Sequence, residues 1–405
     1  LRFEKSAVNL PIEMDALTSL GIYIHIPVCR SLCGYCDFYS IKDSEIDSNF
    51  WSNYYHKLVE EFQYKSRLIQ NNYVLNSIYF GGGTPSLAPA SFIEKLIDFL
   101  VCNVPKKSKN MEISIEANPE TVTKRFVGDI HSAGINRISM GVQSTSDRLL
   151  KLLDRLGDKK TILRAMEILS KGPIANWSAD IIYGIPGQKE LDILESLQQI
   201  IDHGAKHISA YALTLENQVL PAPVGLPIGS QDDSFKSSKN KKISATRQHS
   251  HQKLIWEFLP ANGFFQYEIS NFARKGFSCL HNVAVWKYRP YLSLGASGHS
   301  FLNDSRYRTV ANITKYLSEP VANSILIEKA STIPDLFITA LRLKTRQGNA
   351  LFRKHLDNPK YLLWLNQLNK FYNKGWIKPD KSGFTITEEG LNFSNTLLES
   401  VYEHL

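Results

Sequence analysis

The chain reads as an α/β protein: a partial (β/α)6 barrel followed by a small C-terminal α+β domain of winged-helix type. Three observations predict this. Short β-rich runs alternate with longer helical patterns. Polar and glycine-rich residues gather just after each run. After Pro334 the alternation gives way to helical patterns and a hairpin. Strands that alternate with helices make parallel sheets, because a parallel connection needs a crossover long enough to hold a helix.

The runs are Gly21–Pro27, Ser77–Phe80, Glu112–Ala117, Arg137–Val142, Ala179–Ile185 and His207–Leu215. The helical patterns between them cover Ser44–Ile69, Ser91–Val101, Val122–Ala133, Lys159–Ser170 and Glu190–His203. Six such units fall short of the eight of a closed barrel. In parallel α/β folds the C-terminal strand ends face the ligand. Those ends carry three cysteines, then Gly81-Gly82-Gly83-Thr84, Glu116-Ala-Asn-Pro119, Gly141-Val-Gln-Ser144, Asp180 with Tyr183-Gly-Ile-Pro-Gly-Gln188, and Tyr211 on a strand that ends near Glu216. One shared pocket above the barrel follows.

Residues 1–20 read as an N-terminal extension and 21–220 as the barrel. Residues 221–252, rich in Pro, Ser, Lys and Gly, read as a surface loop. Order returns with a helix near Gln252–Pro260, and 253–333 extend the barrel. Residues 334–405 form the terminal domain, with helical patterns at Leu336–Leu343 and Lys360–Tyr372 and a hairpin about Pro379–Gly383. No arginine-rich recognition helix is evident there, so no nucleic-acid role is expected.

The 405 residues are 43% hydrophobic and 21% charged, an ordinary globular composition. The net charge of +8 is scattered, as on a solvated basic surface, and leaves room for membrane-surface contact. No apolar run of transmembrane length and no signal peptide is visible. The chain begins at Leu1 rather than Met, which reads as a processed or trimmed form. Five cysteines, three of them clustered, do not make a secreted disulfide framework. A reducing compartment is expected, either cytoplasm or an organellar matrix of mitochondrion or plastid.

The cluster is Cys29, Cys33 and Cys36, spaced C-x3-C-x2-C directly after the first strand. Structural zinc takes four ligands, commonly from two C-x2-C pairs, and no second pair is present. Three close thiolates suit a 4Fe-4S cubane, leaving one iron open to a small molecule.

This arrangement resembles the radical S-adenosylmethionine superfamily. The resemblance implies that adenosylmethionine chelates the open iron and that an electron from the cluster can cleave its sulfonium bond. It implies cofactor contacts at Tyr23, Tyr35, Gly82, Gly83, Thr84, Glu116, Gln143, Arg155, Asp180 and Ala212. Arg155 would meet the methionine carboxylate, Glu116 the amino group, and Asp180 and Gln143 the ribose and nearby groups.

Tyr23-Ile-His-Ile-Pro-Val-Cys29, Gly82-Gly-Thr-Pro85, Glu116-Ala-Asn-Pro119 and Tyr267-Glu-Ile-Ser-Asn-Phe272 narrow the resemblance. They are similar to the oxygen-independent coproporphyrinogen III oxidases and their relatives, the HemW-type heme chaperones. The oxidases carry a further cysteine two residues after the third; here Phe38 stands in that place, as in the chaperones. The chaperones have a His-Asn-x-x-Tyr-Trp motif. This chain has His281, Asn282 and Trp286, with Val285 in place of the tyrosine. Arg155 lacks the histidine that follows it in the relatives.

The resemblance implies heme binding at His281, Asn282 and Trp286, delivery of heme to accepting proteins such as respiratory ones, an electron donor for the cluster, and room for a homodimer. The rival function is oxidative decarboxylation of coproporphyrinogen III, and a third is a radical enzyme with another substrate. His25 is expected to be a satisfied core histidine, Cys279 a buried inert thiol, and His299 a further pocket candidate.

Overall fold

The computed structural model describes residues 17–213, 244–329, 342–343, 369–380, 383–387 and 389–390. Six parallel strands lie side by side in chain order: β1 (Thr18–Ile26), β2 (Tyr73–Gly82), β3 (Lys107–Ala117), β4 (Arg137–Gln143), β5 (Asn176–Tyr183) and β6 (His207–Ala212). An order that never reverses, with crossovers of one hand, puts every connecting helix on the same face. The other face then curls inward, as in a partial barrel.

The strand sequences fit this division. Past the register shifts near Leu20 and Leu75, alternate residues of β1, β2 and β3 point inward: Gly21, Tyr23, His25; Ser77, Tyr79, Gly81; Glu112, Ser114, Glu116. Arg137 and Ser139 continue the stripe, followed by Ser178, Asp180, His207, Ser209 and Tyr211. The alternate residues, among them Ile22, Ile24, Ile78, Phe80, Ile115, Ile138, Met140, Trp177, Ala179 and Ile208, enter one apolar core with the helices. A closed barrel normally fills its lumen with Val, Ile and Leu. This lumen is lined by polar groups and glycines instead, which suits a ligand.

The helices are Phe50–Ser66, Ala90–Asn103, Lys124–Ser132, Asp147–Leu152, Lys159–Ser170 and Glu190–Asp202. Their starts are set by local chemistry. Thr123 accepts a hydrogen bond from the amide of Phe126, and Asp158 from that of Thr161.

The sheet continues beyond the six units. Tyr291–Leu294 adds to β1 in parallel, and His299–Leu302, Ser305–Thr309 and Ile325–Lys329 follow antiparallel. At the other edge Asn271–Ala273 and Phe265–Gln266 join β6. The first helix is tied to this extension by a buried pair. Lys65 Nζ donates to Glu61 Oε1 at 2.6 Å and to the Ser293 carbonyl at 2.9 Å. Glu61 also accepts from the Gly295 amide and the hydroxyls of Thr309 and Tyr316.

Part of the expected 221–252 loop is helical. Ala245–Ala261 is one helix, opened by Ser244, whose hydroxyl accepts from the Arg247 amide. The remainder of that loop, and most of the terminal domain including the Lys360–Tyr372 pattern up to residue 368, lie outside the described residues. The expected hairpin is present as Ile377–Asp380 paired with Gly383–Ile386.

Candidate functional site

The cysteine loop sits on the C-terminal end of β1. All three thiols are free and half-buried. The turn after β2 grips the same loop, with Gly83 N–H donating to the Ile26 carbonyl and Thr84 N–H to that of Val28, both at 2.8 Å. A Cβ on Gly83 would lie 2.8 Å from the Val28 oxygen and 2.9 Å from Cys29 Sγ, so only glycine fits this approach.

A chain of polar contacts crosses the strand ends. Thr84 Oγ1 donates toward Cys29 Sγ at 3.5 Å and accepts from Asn118 Nδ2 at 3.0 Å. Arg155 Nη2 donates to Asn118 Oδ1 at 2.8 Å and to the Gly141 carbonyl at 3.0 Å. The ring of Tyr35 and the thiol of Cys33 also lie against Arg155. Burial pushes both groups' pKa values up, while the guanidinium pulls them down. Cys36 is pushed up to about 11, mainly by burial.

Glu116 accepts from the Tyr79 hydroxyl at 3.0 Å and from the Gly82 amide at 3.1 Å. Burial, and then the charge of Asp180, raise its pKa to about 7. Ser139 donates to Asp180, with both carboxylate oxygens at 3.2 Å. Gln143 ends β4 with φ 63°, at a bulge in the β4–β5 pairing. A Cβ on Gly141 would stand 2.9 Å from Gln143 Nε2 and 3.1 Å from Asn118 Oδ1, so this glycine lets the two side chains converge. Tyr23 stacks on Tyr79 at 6.1 Å in the lumen, and Ala212 closes β6.

Apart from Tyr23, whose ring lies deeper in the lumen and 6.3 Å from that of His281, the cofactor residues expected from the sequence therefore gather at one end of the barrel. Two residues join them that the motifs held but no role was given. Asn118 links Arg155 to Thr84; its place in Glu116-Ala-Asn-Pro119 was the available signal. Tyr211, on the same face of β6 as Ser209 and near Asp180 and Glu116, is 42% exposed and joins the lumen lining.

The donor set fits an iron–sulfur cluster: three free thiols, a glycine cradle, and a cation at the rim. Among the described residues no three His, Cys, Asp or Glu side chains close on a single metal ion. A cubane makes a different demand, because its thiolates bind separate corners.

The His281 motif lies elsewhere. Leu280–Trp286 is a short helix at the N-terminal level of the barrel. His281 is 6% exposed, with Nδ1 3.0 Å from Ser77 Oγ and its ring 5.2 Å from that of Tyr79. Burial lowers its pKa to about 4, so the ring is neutral. Asn282 is half-buried, and the Trp286 ring is covered by the Arg342 guanidinium at 4.3 Å. Cys279 is buried, and burial raises its thiol to about 12. His25 is a core histidine, with Nε2 2.9 Å from the Tyr39 carbonyl oxygen. His299 is exposed at the start of its strand, near His25.

The Radical SAM superfamily model matches residues 23–200. Heme chaperone HemW of Buchnera aphidicola subsp. Acyrthosiphon pisum is 32% identical over 399 residues, 95% of this chain and 99% of that protein. The protein of the same name from Haemophilus influenzae is 31% identical, covering 95% and 98%. The one from Escherichia coli K12 is 30% identical, covering 95% and 99%. Among solved structures, coproporphyrinogen III oxidase (HemN) from Escherichia coli superposes with a TM-score of 0.74 at 18% identity, over 96% of this chain and 91% of that one. That likeness establishes the fold. Identity of this extent over nearly the whole of both chains establishes more: the chain belongs to the HemW family, within the radical S-adenosylmethionine superfamily.

Proposed function

We propose that this protein is a heme chaperone: it binds heme and passes it to heme-accepting proteins, under the influence of a 4Fe-4S cluster and S-adenosylmethionine held at the C-terminal end of the barrel. Cys29, Cys33 and Cys36 hold the cluster. Tyr23, Tyr35, Gly82, Gly83, Thr84, Glu116, Gln143, Arg155, Asp180 and Ala212 hold the cofactor. When bound, the pair supplies one-electron cleavage of a sulfonium carbon–sulfur bond.

The chain's own groups have separable tasks. Arg155, fixed by Asn118 and Gly141, presents a cation to a carboxylate. Glu116 offers a carboxylate to an ammonium, and gives up its proton as that charge arrives. Asp180, held by Ser139, is an acceptor for hydroxyl groups. Heme is bound through His281, Asn282 and Trp286.

The observation that carries the chaperone reading over the oxidase one is Phe38. It is 67% exposed where the oxidases carry a further cysteine, and the chain's 32% identical relative is named a heme chaperone. The test is anaerobic incubation of the reconstituted protein with coproporphyrinogen III, adenosylmethionine and reductant. No decarboxylated porphyrinogen is expected above a Cys33→Ala control. Its steady formation in the wild type alone overturns the reading in favour of the oxidase.

No helix among the described residues is long and apolar enough to cross a membrane. Any membrane-surface contact would be peripheral, through basic side chains. A cytoplasmic or organellar site and a homodimer accord with the reading. An external electron donor is needed to reduce the cluster.

A further inference from the structure

The His281 helix is locked into the barrel floor by one carboxylate. Glu112 is buried at the N-terminal level of the lumen. Its Oε2 accepts from the Leu280 amide at 3.0 Å, and its Oε1 from the His281 amide at 3.2 Å. The Cys279 thiol adds a contact to Oε1 at 3.4 Å. The Tyr267 hydroxyl accepts from the Cys279 amide at 3.4 Å and lies 2.8 Å from His207 Nε2. Arg137, also buried, faces Glu112 and Cys279. Burial opposes its charge, and the Glu112 carboxylate supports it.

The imidazole itself is enclosed. Ser77 holds Nδ1, Tyr79 and Tyr23 lie across the ring, and a Cβ on Gly21 would come within 3.0 Å of it. Leu280, 38% exposed, faces out while His281 and Ala284 face in, so the helix closes the floor like a stopper. An axial ligand to heme needs an open face for a flat macrocycle. The seated helix gives His281 none.

We infer that Glu112 is a positioning residue that gates heme ligation: with Ser77 it keeps His281 seated, and heme binds when the helix is released from the floor. This rests on the reading that His281 ligates heme. The released state exposes the amides of Leu280 and His281, which Glu112 otherwise protects. It also leaves the Glu112 carboxylate beside Arg137, which compensates its charge inside the barrel.

The test is amide hydrogen exchange of the segment 279–286 in the full chain, with and without hemin, alongside the Soret absorbance. Slow exchange is expected without hemin and fast exchange with it. In Ser77→Ala and Glu112→Gln, exchange without hemin should quicken and hemin should associate faster, on the order of tenfold for the loss of one buried hydrogen bond. Ser77→Ala, a small change, serves if Glu112→Gln does not fold. A Soret shift that requires His281 while the segment stays protected overturns the gate and leaves the ligation reading intact. A Soret shift unchanged in His281→Ala overturns ligation itself, and the gate with it.

Discussion

Arg155 Nη2 donates to Asn118 Oδ1 at 2.8 Å, and Asn118 in turn donates to Thr84, whose hydroxyl faces Cys29. The cation at the rim and the first thiol are thus parts of one polar chain across four strand ends. An arginine kept in place before its ligand arrives loses less freedom on binding. Asn118→Ala should weaken adenosylmethionine binding by about tenfold, the worth of one buried hydrogen bond to a charged group. Calorimetry on the anaerobically reconstituted protein checks this, with iron content unchanged; equal affinity would remove Asn118 from the site.

Gly83 is the point where backbone meets the cysteine loop. Gly83→Ala should cost most of the bound iron, since its Cβ would crowd Cys29 Sγ and the Val28 carbonyl. Gly128→Ala is the control. It lies in the helix Lys124–Ser132 with nothing within 4 Å of the added methyl, and should stabilise by up to about 1 kcal/mol. Full iron in Gly83→Ala would show that the approach is not tight.

Glu116 predicts a proton balance. Its pKa of about 7 in the ligand-free protein lies above the ordinary carboxylate value, so near pH 6 it is mostly protonated. An arriving ammonium favours the carboxylate, so binding should release close to one proton there and none well above pH 8. Titration calorimetry in buffers of different ionisation enthalpy measures this, and Glu116→Gln should abolish it. The same raised pKa favours the folded state at low pH and loses that contribution as pH rises through about 7, so Glu116→Gln should also flatten this part of the stability profile.

The Lys65–Glu61 pair is buried on both sides. Lys65→Met removes one partner and leaves Glu61 charged in the core beside three remaining donors. A loss of about 3–5 kcal/mol is expected in urea unfolding, as for other broken buried pairs. A loss below 1 kcal/mol would mean that the amide and hydroxyl donors to Glu61 suffice.

Much of the barrel was legible because its two faces differ so sharply. Ile22-Tyr23-Ile24-His25-Ile26 alternates residue by residue, and Lys159–Ser170 is bounded by Asp158 and a helical apolar stripe. The cofactor end was legible for a related reason: its residues sit at fixed places just past each strand. The floor was harder to read. Glu112 and Arg137 look like surface charges at strand starts, and only the folded register puts them inside. The strand Tyr291–Leu294 was hidden because its parallel partner, β1, lies about 270 residues earlier. The helix start at Ala245 was hidden by a polar stretch, Thr246-Arg-Gln-His-Ser-His251, with no apolar periodicity.

Titration of the reconstituted protein with hemin, followed by Soret absorbance, bears most directly on the proposed role. Saturable binding with a shifted Soret band is expected, together with its loss or displacement in His281→Ala and its persistence in Cys102→Ser, where an exposed thiol outside the motif is removed. Absence of a saturable Soret change in the wild type would contradict heme binding, and with it the chaperone role.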